Sequence, residues 1–404
     1  MLQRHSSPWF ALFALTGTAL ACSSSAIESD REPKPPVANP DGSMPDPKPT
    51  PKDLGMGDGT LASVTLTELY APKLRVPLSA TALAFNAAIP DELWVLLRQF
   101  PSGMPCSSTD DSGCAALPGA VAVLGDATGA APTATLKEDG NSLHFMRRPT
   151  ALAWSDSELF ASCGEAWTDN LEDAPVPYAG PVLWSSDPTV FGVTPKATQN
   201  GTHLDMLHAT PYCMGIAHES ANIYWAFNGD VGALDRYDFH APHQIGGEDH
   251  MDGEVHRYVT GQLLREPEVP SHMAYDAKSG LVYVADTGHG RIVSVDPKPA
   301  TAGGAITTYE SLAASGEMVG AKLTELVPPG LLQKPSGLAL HGEVLYVTDN
   351  ASSIVYAFDL AGELLSQLPT ELPSGTLAGI AVGPDDQLYF TDQLTGAVRR
   401  IDPN

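Results

Sequence analysis

Six copies of a strand–turn–strand–loop–strand unit and one unassigned β-rich stretch ahead of them predict an all-β domain. The expected architecture is a six-bladed β-propeller closed by an N-terminal strand that joins the last blade. The clearest copies are PSHMAYDAKSGLVYVADTGHGRIVSVDP from Pro270, KPSGLALHGEVLYVTDNASSIVYAFDL from Lys334 and LAGIAVGPDDQLYFTDQLTGAVRRIDP from Leu377. Each reads as an apolar strand, a tight polar turn, a β-rich strand ending in Asp, a short loop and a third alternating strand. Weaker copies begin at Ser79, Arg148 and Tyr212. One such sheet cannot cover both of its faces, whereas stacking the sheets around an axis covers them all. The sixth copy has no fourth strand after its third. ASVTLTELY (Ala62–Tyr70) alternates, is β-branched and belongs to no copy, so it is expected to supply that outer strand.

The segment before the repeats divides in two. Residues 1–21 read as a signal peptide: Arg4, then the apolar run WFALFALTGTALA, too short to span a bilayer comfortably, with small residues at Ala19 and Ala21. Ala19-Leu20-Ala21-Cys22 resembles the lipobox of bacterial lipoproteins, with Ala19 where that motif usually has Leu. The resemblance implies acylation of Cys22 and attachment to the cell envelope, in the periplasm or at the outer membrane; a plainly secreted protein is the alternative. Residues 22–60 are rich in Pro, Ser, Asp and Lys and poor in large apolar side chains, which predicts a disordered tether. The propeller takes residues 61–404.

Composition narrows the partners. Acidic residues outnumber basic ones 48 to 22, for a formal charge of -26. Such a surface repels phosphate backbones and anionic lipid heads, which argues against nucleic acid and favours cations or cationic ligands. The expected partners are the membrane, through lipidated Cys22, and a protein or small molecule that the sequence does not name. Four cysteines remain beside Cys22, an even number that suits an oxidising compartment. Cys106 and Cys114 bracket a short polar loop and are expected to pair. Cys163 and Cys213 would then pair across adjacent blades.

Histidine is unevenly placed: nine of twelve lie between His203 and His289. Imidazole is a common metal ligand and a near-neutral acid or base. In a propeller the inner strands line the channel and the loops alternate between two faces. His203, Asp205 and His208 in GTHLDMLHATPYCMG, together with His272, are expected on the leading face, where the inner strands begin, as one candidate metal set. His272 stands where neighbouring copies have Gly215, Gly337 or Gly379. The opposite face, which carries the first-to-second-strand turns, is expected to gather a second set. It comprises His218, Asp238, His240, His243, Asp249, His250, Asp252 and His256, most of them in one connection of the third blade. Calcium and zinc are the candidate ions. The competing reading of that connection is a solvated loop held by its own Asp–His hydrogen bonds. The Asp residues that end the second strands, Asp286, Asp349 and Asp392, are expected to serve turns. The chain contains no HExxH, CxxC or GxSxG motif.

The repeat resembles the NHL repeat, most closely in the three C-terminal copies, and the resemblance covers nearly everything after Thr60. Among propellers of that kind, peptidylglycine amidating lyase looks similar, but its zinc histidines each follow a Pro at the start of an inner strand. Here Ser271 and Ser336 follow Pro270 and Pro335, with His272 one place later, so that triad is not reproduced. The gluconolactonase group is similar at DNASS from Asp349, yet its Pro-Asp-Gly is Pro-Ser-Gly here. The stretch from HLDMLH through MGIAHE to RYDFH resembles an uncharacterised bacterial group of NHL proteins, which implies no activity. The sequence therefore points to an extracytoplasmic binding or scaffold propeller with a divalent-metal site in its third and fourth blades. The alternative is a metal-dependent hydrolase or lyase working at the channel mouth through His208 or His272.

Overall fold

The computed structural model describes residues 60–72, 78–99, 119–168, 178–193 and 200–404. The segments expected to be signal peptide and tether, together with Cys22, Cys106 and Cys114, lie outside the described residues. Six antiparallel sheets follow one another along the chain. From the axis outwards, blade 1 comprises Leu78–Phe85, Glu92–Gln99, Gly119–Gly125 and Thr133–Lys137. Blade 2 comprises Pro149–Trp154, Leu159–Gly164, Val182–Ser185 and Asp205–Met206. Blade 3 is built from Cys213–Ser220, Ile223–Asn228, Ala233–Asp238 and Glu254–Tyr258, and blade 4 from Met273–Asp276, Leu281–Asp286, Arg291–Asp296 and Lys322–Val327. Blade 5 holds Pro335–His341, Val344–Asp349, Ile354–Asp359 and Leu364–Pro369. Blade 6 has three strands of its own, Leu377–Val382, Leu388–Asp392 and Val398–Pro403. Its fourth is Val64–Tyr70, antiparallel to Val398–Pro403, with Val64 opposite Pro403 and Thr67 opposite Arg400. The ring closes as the unassigned stretch predicts.

Alternation along the strands puts apolar side chains on both faces of each blade, and these meet between blades. Trp94 of blade 1 touches Phe160 of blade 2 at 5.1 Å between ring centroids, and Phe160, Trp184 and Phe191 complete the same cluster. Near the axis the inner strands crowd. A Cβ on Gly215 would lie 2.0 Å from the carbonyl oxygen of Ser271, and one on Gly337 would lie 2.2 Å from that of Ala378. Blade 4 carries His272 at this level, its carbonyl accepting from the Ala285 amide (3.0 Å) and its amide donating to the Ser336 carbonyl (2.8 Å).

Two features tie blade 3 to its neighbours. Cys163 and Cys213 are bonded, joining the second strand of blade 2 to the inner strand of blade 3. Between the third and fourth strands of blade 4 the chain makes an excursion that the repeat does not predict. Ala314–Val319 pairs in parallel with the outer strand Glu254–Tyr258 of blade 3, and Thr301–Ala302 pairs beyond it, so blade 3 has six strands. The only α-helix among the described residues is the single turn Ser142–Phe145, and none is long and apolar enough to cross a membrane.

Two outcomes are expected. Deleting residues 62–70 removes the closing strand and the buried Val64; unfolding should lose its single cooperative transition, with at least about 2 kcal/mol of stability. A melt identical to that of the full chain would contradict closure through this strand. Replacing both Cys163 and Cys213 by Ser opens a loop spanning 50 residues and should cost up to about 4 kcal/mol, read as the denaturation midpoint under non-reducing conditions.

Candidate metal centre

The outer edge between blades 2 and 3 is built by two segments that hold each other through backbone bonds. The chain leading into Asp205–Met206 passes beside the long connection between the third and fourth strands of blade 3. The His243 amide donates to the Leu204 carbonyl (3.0 Å), and the Gly246 amide donates to the His203 carbonyl (2.9 Å). Gly246 makes the return possible, with φ +66°. Asn200 adds a side-chain bond from Nδ2 to the Gly246 carbonyl at 3.2 Å.

This contact brings together three imidazoles, His203, His243 and His250, each offering a ligand atom within 4.8 Å of the others. In every ring Nδ1 has an oxygen partner. His203 Nδ1 lies 2.7 Å from the Asn200 carbonyl, His243 Nδ1 lies 2.6 Å from the Gln244 carbonyl, and His250 Nδ1 lies 2.9 Å from Asp205 Oδ1. Nε2 is thereby left as the ligand nitrogen, and those of His203 and His243 are buried without a hydrogen-bond partner. His203 is 1% exposed and stacks on Phe145 at 3.9 Å. Burial pushes its pKa down to about 3, against the opposing pull of the Asn200 carbonyl, so the ring is neutral and its lone pair is available. Asp205 is fully buried, and burial raises its pKa although the His250 hydrogen bond opposes this. An oxygen-held imidazole presenting its other nitrogen is the arrangement of a metal-ligating histidine. Zinc at 2.0–2.1 Å from each nitrogen needs ligand separations of about 3.4 Å, so the rings would have to draw together from a spacing of up to 4.8 Å. The cluster is competent to hold a metal ion.

The two candidate sets are thus divided differently from the sequence reading. His203 and Asp205 stand at the start of the outermost strand of blade 2, at the periphery, and not at the channel mouth. They join His243 and His250 from the second set, with Asp205 as the residue that orients His250. His208 lies past that strand. Its Nδ1 pairs with the Glu310 carboxylate, its amide donates to Glu310 Oε2 at 3.1 Å, and its ring stacks on Tyr178 at 4.0 Å. His272 lines the axial channel, and its Nε2 lies 3.1 Å from the Thr150 carbonyl. His208 and His272 share no partner. The remainder of the second set is spread along the connection. His240 lies 3.8 Å from Asp238 and 3.5 Å from Glu254 in an exposed pair of contacts. Asp249 and Asp252 accept backbone amides from Met251 and Ala241 at 3.3 Å each. His256 belongs to the outer strand itself, opposite Arg236. His218 bonds the Ala221 carbonyl at 2.9 Å beside the turn of the inner strand. The strand-ending carboxylates serve loops: Asp286 accepts from the Leu264 amide (2.8 Å) and Asp349 from the Gln333 amide (2.6 Å), while Asp392 pairs with Arg399 (2.6 Å).

Sequence reasoning missed two groups. Glu310 belongs to the blade 4 excursion, and its partner His208 is 102 residues away. At the leading end of the channel Glu165 is buried among Arg98 (3.1 Å), Arg148 (3.4 Å) and Arg265 (2.7 Å), and Glu268 bonds Arg98 at 2.8 Å. Glu268 comes from the loop before blade 4 and adopts φ +69°, so this loop reaches across to blades 1 and 2 and caps the axis.

No family model matches the chain. It is 29% identical to NHL repeat-containing protein 2 of Bos taurus over 184 residues, which are 38% of this chain and 24% of that protein. Against NHL repeat-containing protein 2 of Homo sapiens it is 30% identical over 134 residues, 31% of this chain and 17% of that protein. The chain thus spans about a quarter or less of the curated relatives it matches. Among solved structures, an auxiliary nutrient binding protein from Bacteroides thetaiotaomicron superposes with a TM-score of 0.49 and 10% identity, covering 80% of this chain and 68% of that one. The six repeats and the ring they close identify the chain as a six-bladed β-propeller, similar in sequence over part of its length to NHL repeat-containing protein 2.

Proposed function

We propose that this protein is an exported, lipid-anchored binding propeller in which a divalent transition metal, zinc by its donor set, staples blade 2 to blade 3 through His203, His243 and His250. One observation carries the reading. Three imidazoles from two separate connections converge within 4.8 Å, each with Nδ1 already engaged by oxygen. Nitrogen ligands suit zinc and its neighbours in the transition series, whereas calcium takes six to eight oxygens. The blade 3 connection is anchored by hydrogen bonds more than by apolar burial, since its large apolar side chains Ile245 and Met251 are exposed. A metal bound there would add cross-links where hydrophobic burial adds little. Asp205 orients His250 through its buried oxygen, which fixes the tautomer and strengthens the ring as a donor.

Export is supported by the Cys163–Cys213 bond, which suits an oxidising compartment, and the lipid anchor by Ala19-Leu20-Ala21-Cys22. The binding role fits a propeller whose metal candidates sit at the periphery and whose channel histidine, His272, is engaged by a backbone carbonyl.

Purified protein should carry about one zinc per chain. Stripping it with a chelator should lower the unfolding free energy by about 3 kcal/mol when free metal had stood a hundredfold above its dissociation constant. The partly exposed His243→Ala variant should lose the bound metal and the chelator response together. Metal-free protein that neither takes up zinc nor responds to a chelator would sink this reading. Separately, the N-terminal peptide of the envelope fraction should begin at an acylated Cys22, and Cys22→Ser should leave the detergent phase; an unmodified N-terminus beyond Cys22 would mean secretion without an anchor.

A further inference from the structure

The channel forms a cup. The Arg98–Glu165–Glu268 lattice stands at the leading end of the axis, and towards the turn face lies a cavity of about 450 Å³ lined by the inner strands of all six blades. Its lining is ordered in tiers. The deepest holds Ala82, Ala151 and His272, and the outermost holds Phe85, Trp154 and Tyr275, with His218 and His341 at the same end. The tiers of His272 and Tyr275 are three residues apart, about 10 Å at 3.3 Å per residue.

His272 is the only polar side chain of the deep tier, and it is 8% exposed. Its Nε2 faces the Thr150 carbonyl at 3.1 Å; a carbonyl only accepts, so Nε2 carries the hydrogen. Burial holds the ring's pKa down at about 4, with the Thr150 hydrogen bond opposing, so at neutral pH Nδ1 is a bare acceptor. No protein donor reaches that nitrogen among the described residues.

The mouth has the opposite character. The turns that join first to second strands carry six carboxylates: Asp91, Asp156, Glu158, Glu343, Asp385 and Asp386. Lys278, 3.5 Å from Glu343, is the only cation within those turns; Arg400 approaches Asp385 at 3.9 Å from the third strand of blade 6. Aromatic faces beneath a ring of carboxylates favour a cation, and an acceptor at the floor favours a donor.

We propose that this cup binds a small amphipathic organic cation, an ammonium group held at the aromatic and carboxylate rim, an apolar body below it and a hydroxyl or amine at its far end donating to His272 Nδ1. Two of the three contacts are polar and point to opposite ends of one ligand about 10 Å long, which distinguishes this class from both apolar molecules and anions. The site is separate from the metal centre.

Three probes separate the contacts: tyramine, which has both ends; phenethylamine, which lacks the hydroxyl; and tyrosol, which lacks the ammonium. Titration of the full chain by calorimetry, with and without chelator, should give tyramine the lowest dissociation constant. Tyrosol should bind about tenfold more weakly at low salt, the gap narrowing as ionic strength rises. Phenethylamine should bind about fivefold more weakly, and that gap should vanish in His272→Leu. The double variant Asp156→Asn and Asp386→Asn, both at the surface, should reduce the preference for tyramine over tyrosol and leave the hydroxyl effect intact. Absence of saturable binding by all three probes, or equal affinity for tyramine and tyrosol at low salt, overturns the proposal. If His272→Leu does not fold, equal affinity of the native protein for tyramine and phenethylamine overturns the floor contact.

Discussion

A blade with two apolar faces needs a neighbour on each side, and that requirement governs the rest of the molecule. Clusters such as Trp94, Phe160, Trp184 and Phe191 lie between blades, so no sheet is stable in isolation and the ring has to close. Closure falls to Val64–Tyr70, the partner of the last strand. Closure also crowds the axis, which is why backbone approaches backbone at Gly215 and Gly337.

Much of this architecture was legible because it is local. Strand, turn and alternation repeat within about thirty residues, and in blades 4 to 6 the Asp that ends the second strand, Asp286, Asp349 or Asp392, accepts from loop amides. The pairing of Cys163 with Cys213 could be read once the blades were counted, since both fall at the same end of adjacent sheets. The metal candidates were legible by residue but not by grouping. His203, His243 and His250 all stood out, yet their meeting depends on the Leu204 and His203 carbonyls capturing amides from a connection forty residues further on, and backbone capture leaves no mark on side-chain identity. The excursion of blade 4 was invisible for the same reason. Ala314–Val319 follows no repeat and pairs in parallel with a strand of the preceding blade.

Polar chemistry is distributed by radius. At the axis, inner strands are wedged together and most lining side chains are small or apolar, with His272 among them and His218, His341 and Tyr275 towards the turn face. At the periphery the blades diverge and long connections fill the gaps, so imidazoles and carboxylates accumulate there, as in the His203–His243–His250 cluster and in the His208–Glu310 pair. The molecule thus offers a coordination chemistry outside and a shape-defined recess inside, with the sheets insulating one from the other.

The six-stranded blade 3 has a consequence for how the domain breathes. It is covalently joined to blade 2 and covered along its outer edge by a segment lent from blade 4, so three successive sheets cannot separate independently. Amide protons of Glu254–Tyr258, which would exchange readily on a bare margin, are sheltered by Ala314–Val319. Opening of the ring is therefore directed to the opposite arc, where among the described residues no disulfide or borrowed strand reinforces blade 6 and its margin is a single strand, Val64–Tyr70.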